Sequence, residues 1–121
     1  MDNQILRCEL YYANLNPVLG SEQGGIRPVL ILQNDNGNQH SPTVIVVAIT
    51  GKPKKINQLT HYAIPAIQGL SVPSMVLLEQ IRTIDKGRLQ TYIGMLDETT
   101  MEGIDHALAV SLGLKTICAI T

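Results

Sequence analysis

An arginine stands where a glycine-containing loop enters an apolar stretch of the chain. Gly24 and Gly25 lie in the loop, and Arg27 and Pro28 lead directly into the apolar residues 29–32. Glycine accepts a positive φ and close approach of another backbone, while Pro28 biases Arg27 towards extended geometry. The guanidinium would then stand at the rim of a strand, where its planar fork of donors suits a phosphate. A carboxylate of the same chain would suit it equally well, so these residues alone leave both interpretations open.

The histidines and carboxylates are not spaced as metal ligands. His40, His61 and His106 lie far apart, form no HxxxH or HxH unit, and have no cluster of Asp and Glu around them. The phosphate-binding patterns GxxxxGK[ST] and GxGxxG and the nucleophile elbow GxSxG are also missing. We therefore expect neither a metal nor a cofactor, and we expect His106 to be an ordinary surface histidine.

Short apolar runs separated by turn residues predict a mainly β (α+β) fold. The predicted strands are Cys8 to Tyr12, Pro28 to Gln33, Thr43 to Thr50, His61 to Ile64, Ser74 to Ile84 and Leu89 to Leu96. The second and third of these are nearly continuous in apolar residues, which is typical of strands buried on both faces. Between them, the polar segment from Asn34 to Asn38 predicts a turn.

The last quarter of the chain changes to a helical period. Asp97 or Thr99 can cap a helix there and Gly113 can end it. Apolar residues recur at three- and four-residue steps, at Met101, Ile104, Leu108 and Leu112. Strands followed by one amphipathic helix are typical of a small, curved antiparallel barrel or half-barrel with a C-terminal helix.

Composition limits the class of protein. A length of 121 residues predicts one domain, residues 1–121, and the absence of Trp and Phe requires an aliphatic core. A short chain that is 45% hydrophobic often hides surface in a partner, so we expect a homodimer. Cys8 and Cys118 suit a reducing compartment, and neither a signal sequence nor an apolar run of about 18 residues is evident. We expect a soluble, cytoplasmic protein that does not contact a membrane.

The net charge of −1 argues against a broadly basic surface for nucleic acid. The distribution is uneven, however, because residues 1–95 carry eight Lys or Arg against six Asp or Glu, while residues 96–121 carry one against four. A local phosphate-binding groove in the predicted sheet would explain this pattern, and so would an ordinary solvated surface.

Three blocks of sequence resemble the MazF/PemK family of toxin endoribonucleases, in the same order and at compatible spacing. The blocks are Ser21 to Leu30 preceded by Tyr12 to Pro17, Ser41 to Thr43 leading into Val47 to Thr50, and Leu78 to Lys86. The resemblance is strongest to MazF toxins of Gram-positive bacteria. It implies an SH3-like antiparallel barrel of the MazF/PemK/CcdB type and metal-independent cleavage of single-stranded RNA. The implied products are a 2′,3′-cyclic phosphate and a free 5′-hydroxyl.

The resemblance also implies catalytic residues. Arg27 and Thr50 match the arginine and the hydroxyl residue that are catalytic in the family. Some PemK-like relatives have a histidine at Ser21, an arginine at Leu77 and an aspartate at Glu79, so their acid–base scheme does not transfer whole. Glu79 is our candidate base, and Glu22 or Arg27 itself is the alternative.

Substrate contacts are expected in the loops. RNA bases are read by stacking on aromatics or by hydrogen bonds to their edges, and this chain has only four aromatic residues, all Tyr. The candidates are Ser21, Glu22, Gln23, Gly24, Gly25 and Gln80, with Lys52, Lys54 and Lys55 as phosphate contacts.

The family implies a partner and leaves alternatives. The implied partner is a MazE-like antitoxin, whose acidic, partly disordered segment would compete with RNA for Arg27. A non-catalytic gyrase poison of the CcdB type would use the same barrel, but Arg27 and Thr50 would then have no assigned role. A barrel that only binds RNA or protein is the third alternative.

Overall fold

One antiparallel sheet and two helices make up the part of the chain that the computed structural model describes, residues 4–51, 59–67 and 69–114. The sheet order is β4-β5-β3-β2-β1-β6. The elements are β1 (Glu9–Asn14), β2 (Ile26–Ile31), α1 (Asp35–His40), β3 (Thr43–Thr50), β4 (His61–Ile64), β5 (Ser74–Asp85), β6 (Leu89–Met95) and α2 (Glu98–Leu112). The predicted mainly β fold with a C-terminal helix is confirmed.

The two central strands bury side chains on both faces of the sheet, as predicted. Leu30 and Ile49 point towards α2 and join its buried residues in what we call the helix-side core. Val29, Ile31 and Ala48 point the other way and form the opposite core. Because alternate residues of a strand face opposite sides, a continuous apolar run is the pattern that this arrangement needs.

β5 does not pair with β3 in a single register. Between two pairing segments β3 advances by two residues, from Val47 to Ile49, while β5 advances by five, from Ile81 to Val76. We call this irregularity the register break. Extra residues in one strand bend it and leave some of its residues outside the ladder. Glu79 and Gln80 lie in this break, which therefore sets where their side chains can reach.

The turn predicted from Asn34 to Asn38 is wrong, because α1 occupies this segment. Asn34 is the N-cap, and its Oδ1 accepts a hydrogen bond of 2.8 Å from the Gly37 amide. Asn38 is buried, and the Nδ2 of its side chain donates a hydrogen bond of 2.9 Å to the Gln33 carbonyl. Asn and Asp favour helix caps as strongly as turns, so side-chain bonds here support a short helix.

The predicted caps of α2 are confirmed. Asp97 accepts a hydrogen bond from the Thr100 amide at 2.8 Å, and hydrogen bonds from the Thr100 side chain and from its amide lower the pKa of the carboxyl. At the other end, Gly113 adopts a left-handed φ of 71°, as glycine readily does. In the described residues no helix is long and apolar enough to cross a membrane.

Gly103 of α2 packs against a side chain of the sheet. A Cβ atom built on Gly103 would lie 2.6 Å from both Cζ and the hydroxyl oxygen of Tyr62, a residue of β4. Replacing an interior helix glycine with alanine normally stabilises a helix by about 1 kcal/mol. Overpacking a filled site costs about 1–3 kcal/mol, so the unfavourable term is the larger one.

We therefore expect Gly103→Ala to lower the free energy of unfolding, measured by urea titration. The same substitution in a Tyr62→Ala background should be neutral or stabilising, because the ring that it would meet is gone. A double-mutant cycle between the two positions measures this coupling. Equal effects of Gly103→Ala in the two backgrounds would contradict the close packing.

Candidate active site

Arg27 lies near the start of β2, Thr50 is the last residue of β3, and the two strands are neighbours in the sheet. β2 and β3 pair Ile31 with Val46 and Val29 with Ala48. Continued by two residues, this register places Arg27 opposite Thr50, and directly opposed residues of an antiparallel pair point to one face. That face carries the opposite core, so both side chains stand where the apolar packing of Val29 and Ala48 ends.

Arg27 is the second residue of β2, which begins at Ile26, two residues before the predicted start at Pro28. Its Nε donates a hydrogen bond of 2.6 Å to the carbonyl of Gly24. Of the carboxylates in the described residues, none forms an ion pair with it. Among the described residues, Arg27 therefore has no carboxylate partner, which was one of the two interpretations that the sequence left open.

The loop before β2 is held at two points. The Leu15 amide donates to the Gly25 carbonyl at 2.9 Å, and the Gly25 amide donates to Oδ1 of Asn16 at 2.9 Å. Gly25 has a φ of 76°, which side chains rarely tolerate. On the other side, the Gln23 amide donates to Oε1 of Gln80 at 3.3 Å, which connects the loop to β5.

A cavity of about 190 Å³ lies between this loop and strands β3, β4 and β5. Thr50 pairs with Met75, and Leu77 pairs with His61, so the strand residues that line it point to one face. The cavity is lined by Ser21, Gln23, Thr50, His61, Leu77, Glu79 and Gln80. Five of the predicted site residues are therefore brought together, with Leu77 as the cavity's apolar residue.

Glu79 is the carboxylate of this cavity. His61 Nε2 lies 2.8 Å from Oε2 of Glu79, and the Thr60 hydroxyl donates to Oε1 at 3.2 Å. The Glu79 side chain is 40% exposed, whereas that of His61 is 7% exposed. Sequence reasoning weighed His61 only as a metal ligand, because its proximity to Glu79 depends on a pairing between β4 and β5 that no local pattern shows.

The remaining predicted contacts are elsewhere. Glu22 is exposed and accepts a hydrogen bond from the Leu19 amide at 2.8 Å, so it stabilises its own loop and does not line the cavity. Arg27, Gly24 and Gly25 also do not line it. The predictions for Lys52, Lys54 and Lys55 concern positions outside the described residues.

Two arginines, Arg82 and Arg88, bind main-chain carbonyls. Arg82 Nη1 donates to the Leu15 carbonyl at 2.6 Å, and Arg88 Nη1 donates to the carbonyls of Asn14 and Asn16. The segment that these two arginines bind leads into the loop before Arg27. Part of the positive charge found in the sequence is therefore structural.

Comparisons with known proteins find relatives that match most of the chain. The model of a family described as PemK-like, MazF-like toxin of type II toxin-antitoxin system matches residues 6–112. Endoribonuclease MazF of Staphylococcus saprophyticus is 52% identical over 112 residues, which are 92% of this chain and 93% of that protein. Endoribonuclease EndoA of Bacillus subtilis is 52% identical over 111 residues, which are 91% and 96%.

Solved structures show the same fold. A mycobacterial endoribonuclease in complex with its cognate antitoxin has a TM-score of 0.76 and 30% identity, over 93% of this chain and 98% of that one. The sequence blocks resemble one family. The described strands and the likeness to these proteins over most of the chain point to the same family. The chain therefore belongs to the family of PemK-like, MazF-like toxins of type II toxin-antitoxin systems.

Proposed function

We propose that this endoribonuclease toxin cleaves single-stranded RNA without a metal ion, using the 2′-hydroxyl of the RNA as the nucleophile. The 2′-oxygen attacks the neighbouring phosphate, the bond from phosphorus to the 5′-oxygen breaks, and a 2′,3′-cyclic phosphate and a 5′-hydroxyl result. This reaction needs a base for the 2′-hydroxyl, a cation for the charge of the pentavalent phosphorane, and a hydrogen-bond donor. The observation that supports the proposal is the cavity that brings Thr50 and Glu79 together, with Arg27 near the start of the neighbouring strand β2.

Arg27 is the cation in this mechanism. Its Nε is bonded to the Gly24 carbonyl, which fixes the plane of the guanidinium and leaves the two Nη groups to bind phosphate oxygens. The Thr50 hydroxyl binds a further phosphate oxygen. Thr50 is 7% exposed and lines the cavity, so a phosphate that reaches it is largely removed from water. Electrostatic stabilisation is stronger in such a site than in solvent.

Glu79 is the base in this mechanism. It lines the cavity with Thr50, and its carboxylate is partly exposed and fixed at both oxygens. Glu22, the alternative base, is bonded to its own loop and does not line the cavity. Ser21, Gln23 and Gln80 offer hydroxyl and amide groups to base edges, which suits a chain with few aromatics.

The biological setting is part of the proposal. A relative of similar fold was solved with its cognate antitoxin, which supports a MazE-like antitoxin as the partner of this chain. An acidic segment of that antitoxin would compete with RNA for Arg27. We also propose that the toxin acts in the cytoplasm, where messenger RNA is found, and as a homodimer. Both curated relatives are named endoribonucleases, which favours the nuclease over a gyrase poison or a purely RNA-binding barrel.

Arg27→Ala should lower the rate of RNA cleavage by at least about 10²- to 10³-fold, because removing one donor to a developing oxyanion has an effect of that size. The assay incubates the purified protein with a long single-stranded RNA in EDTA and maps the ends of the products. Wild type should give discrete cuts with cyclic phosphate ends. Undiminished cutting by Arg27→Ala, with its circular dichroism unchanged, would rule out the assignment.

Thr50 provides a matched pair of variants for the same assay. Thr50→Ser keeps the hydroxyl and should retain most of the activity, while Thr50→Val keeps the shape and should lose it. Glu79→Gln should change the pH–rate profile on its acidic side, where a base becomes protonated. A profile identical to wild type would remove Glu79 from the chemistry. Inhibition of DNA supercoiling without any RNA cuts would support the gyrase poison instead.

The triple variant Lys52→Ala, Lys54→Ala, Lys55→Ala tests the predicted phosphate contacts. Each phosphate contact on a single strand contributes about 0.7 to the slope of log affinity against log salt. If all three lysines bind phosphates, the slope should decrease by about 2 in the variant. The probe is an RNA with a 2′-deoxynucleotide at a mapped cut site, which binds but cannot be cleaved. An unchanged slope would place the lysines outside the RNA interface.

A further inference from the structure

We infer that His61 is a positioning residue of the RNA-cleaving site, which holds the carboxylate of Glu79 at the angle needed to accept the 2′-hydroxyl proton. The inference rests on the proposed function and adds to it a residue that the sequence motifs do not single out.

Glu79 needs external support because of its place in the fold. β5 pairs with β3 on both sides of the register break, but Leu78, Glu79 and Gln80 have no partner in either ladder of β5. The support comes from the start of β4. The Leu78 amide donates to the Thr60 carbonyl at 2.8 Å, which aligns the two segments next to Glu79.

Two side chains from that segment then hold the two carboxylate oxygens separately. His61 Nε2 lies 2.8 Å from Oε2, and the Thr60 hydroxyl lies 3.2 Å from Oε1. A glutamate has several rotatable bonds, and these contacts restrict it to one orientation in the cavity. Rates depend steeply on such placement, since an error of about 1 Å can cost about 10²-fold.

The burial of His61 indicates that the ring contributes more than packing. Its side chain is 7% exposed, and its Nδ1 is buried without a hydrogen-bond partner in the part of the chain that the structure describes. A buried polar atom without a partner lowers the stability of the folded state. An apolar side chain of similar size would avoid that cost, so the contact of Nε2 with Glu79 is what favours an imidazole here.

Among the described residues that line the cavity with His61, Glu79 is the charged one. The ring therefore has a single ionic neighbour in this set, reached through Nε2. This geometry assigns His61 to the support of Glu79, with Nε2 donating to the carboxylate.

The test measures kcat and KM on a short RNA that carries one cut site mapped on a long transcript. His61→Leu removes the donor and should lower kcat by about 10- to 100-fold while KM stays within about twofold. Its melting temperature should equal or exceed that of wild type, because the unpaired Nδ1 is gone. His61→Gln, whose amide nitrogen can take the place of Nε2, should recover most of kcat.

Coupling to Glu79 is the sharper readout. If His61 acts through Glu79, adding His61→Leu to Glu79→Gln should slow cleavage no further. Thr60→Val removes the bond to Oε1 and should give a smaller loss of kcat. If His61→Leu does not fold, this variant still tests whether support of the Glu79 carboxylate affects the rate. Wild-type kcat in His61→Leu, no recovery in His61→Gln, or losses that multiply in the double variant would each overturn the inference.

The outcomes separate this inference from the function on which it rests. If the His61 variants have the kcat of wild type while Arg27→Ala is inactive, the positioning role is overturned and the nuclease mechanism remains in place. Undiminished cleavage by Arg27→Ala would instead overturn the mechanism itself.

Discussion

The pairing of β2 with β3 is the constraint on which the rest of the structure depends. A shift of one residue in an antiparallel register moves every side chain to the other face of the sheet. Both faces of these strands are buried, since Leu30 and Val29 belong to cores on opposite sides. A slip would therefore disrupt both cores and would also move Arg27 out of line with Thr50. The apolar packing that stabilises the fold also fixes the alignment of the two polar side chains at its end.

The register break of β5 lets residues of this strand reach the cavity in a way that a regular ladder would not allow. A regular β5 would alternate strictly, and its residues would all be held by neighbours on β3 and β4. The break releases Leu78, Glu79 and Gln80 from the ladders and lets two consecutive residues, Glu79 and Gln80, both line the cavity. Irregular strands are common beside active sites because they aim a side chain in a direction that regular pairing forbids. The support from Thr60 and His61 replaces the order that the ladder would have supplied.

Local sequence patterns predict most of the strands and helices but do not predict the cavity. β3 and β4 have the predicted bounds because β-branched residues are dense in one and turn residues flank both. The caps of α2 were readable from Asp97 and Gly113. α1 was missed because Asn, Asp and Gly serve turns and helix caps alike. The register break was not readable at all, since the segment from Ser74 to Leu78 is a plain apolar run after its first residue, and the partner of Glu79 is 18 positions away in sequence.

A chain with a net charge of −1 uses part of its positive charge to support its own backbone. Arg82 and Arg88 bind carbonyls of the segment from Asn14 to Asn16, so their charges support the base of the loop. That loop in turn supplies the Gly24 carbonyl that orients Arg27. Under the proposed mechanism, Arg82 and Arg88 therefore contribute to the site indirectly, by supporting the loop that orients the guanidinium of Arg27. Affinity for RNA would then depend on a few placed contacts and not on a broad basic surface.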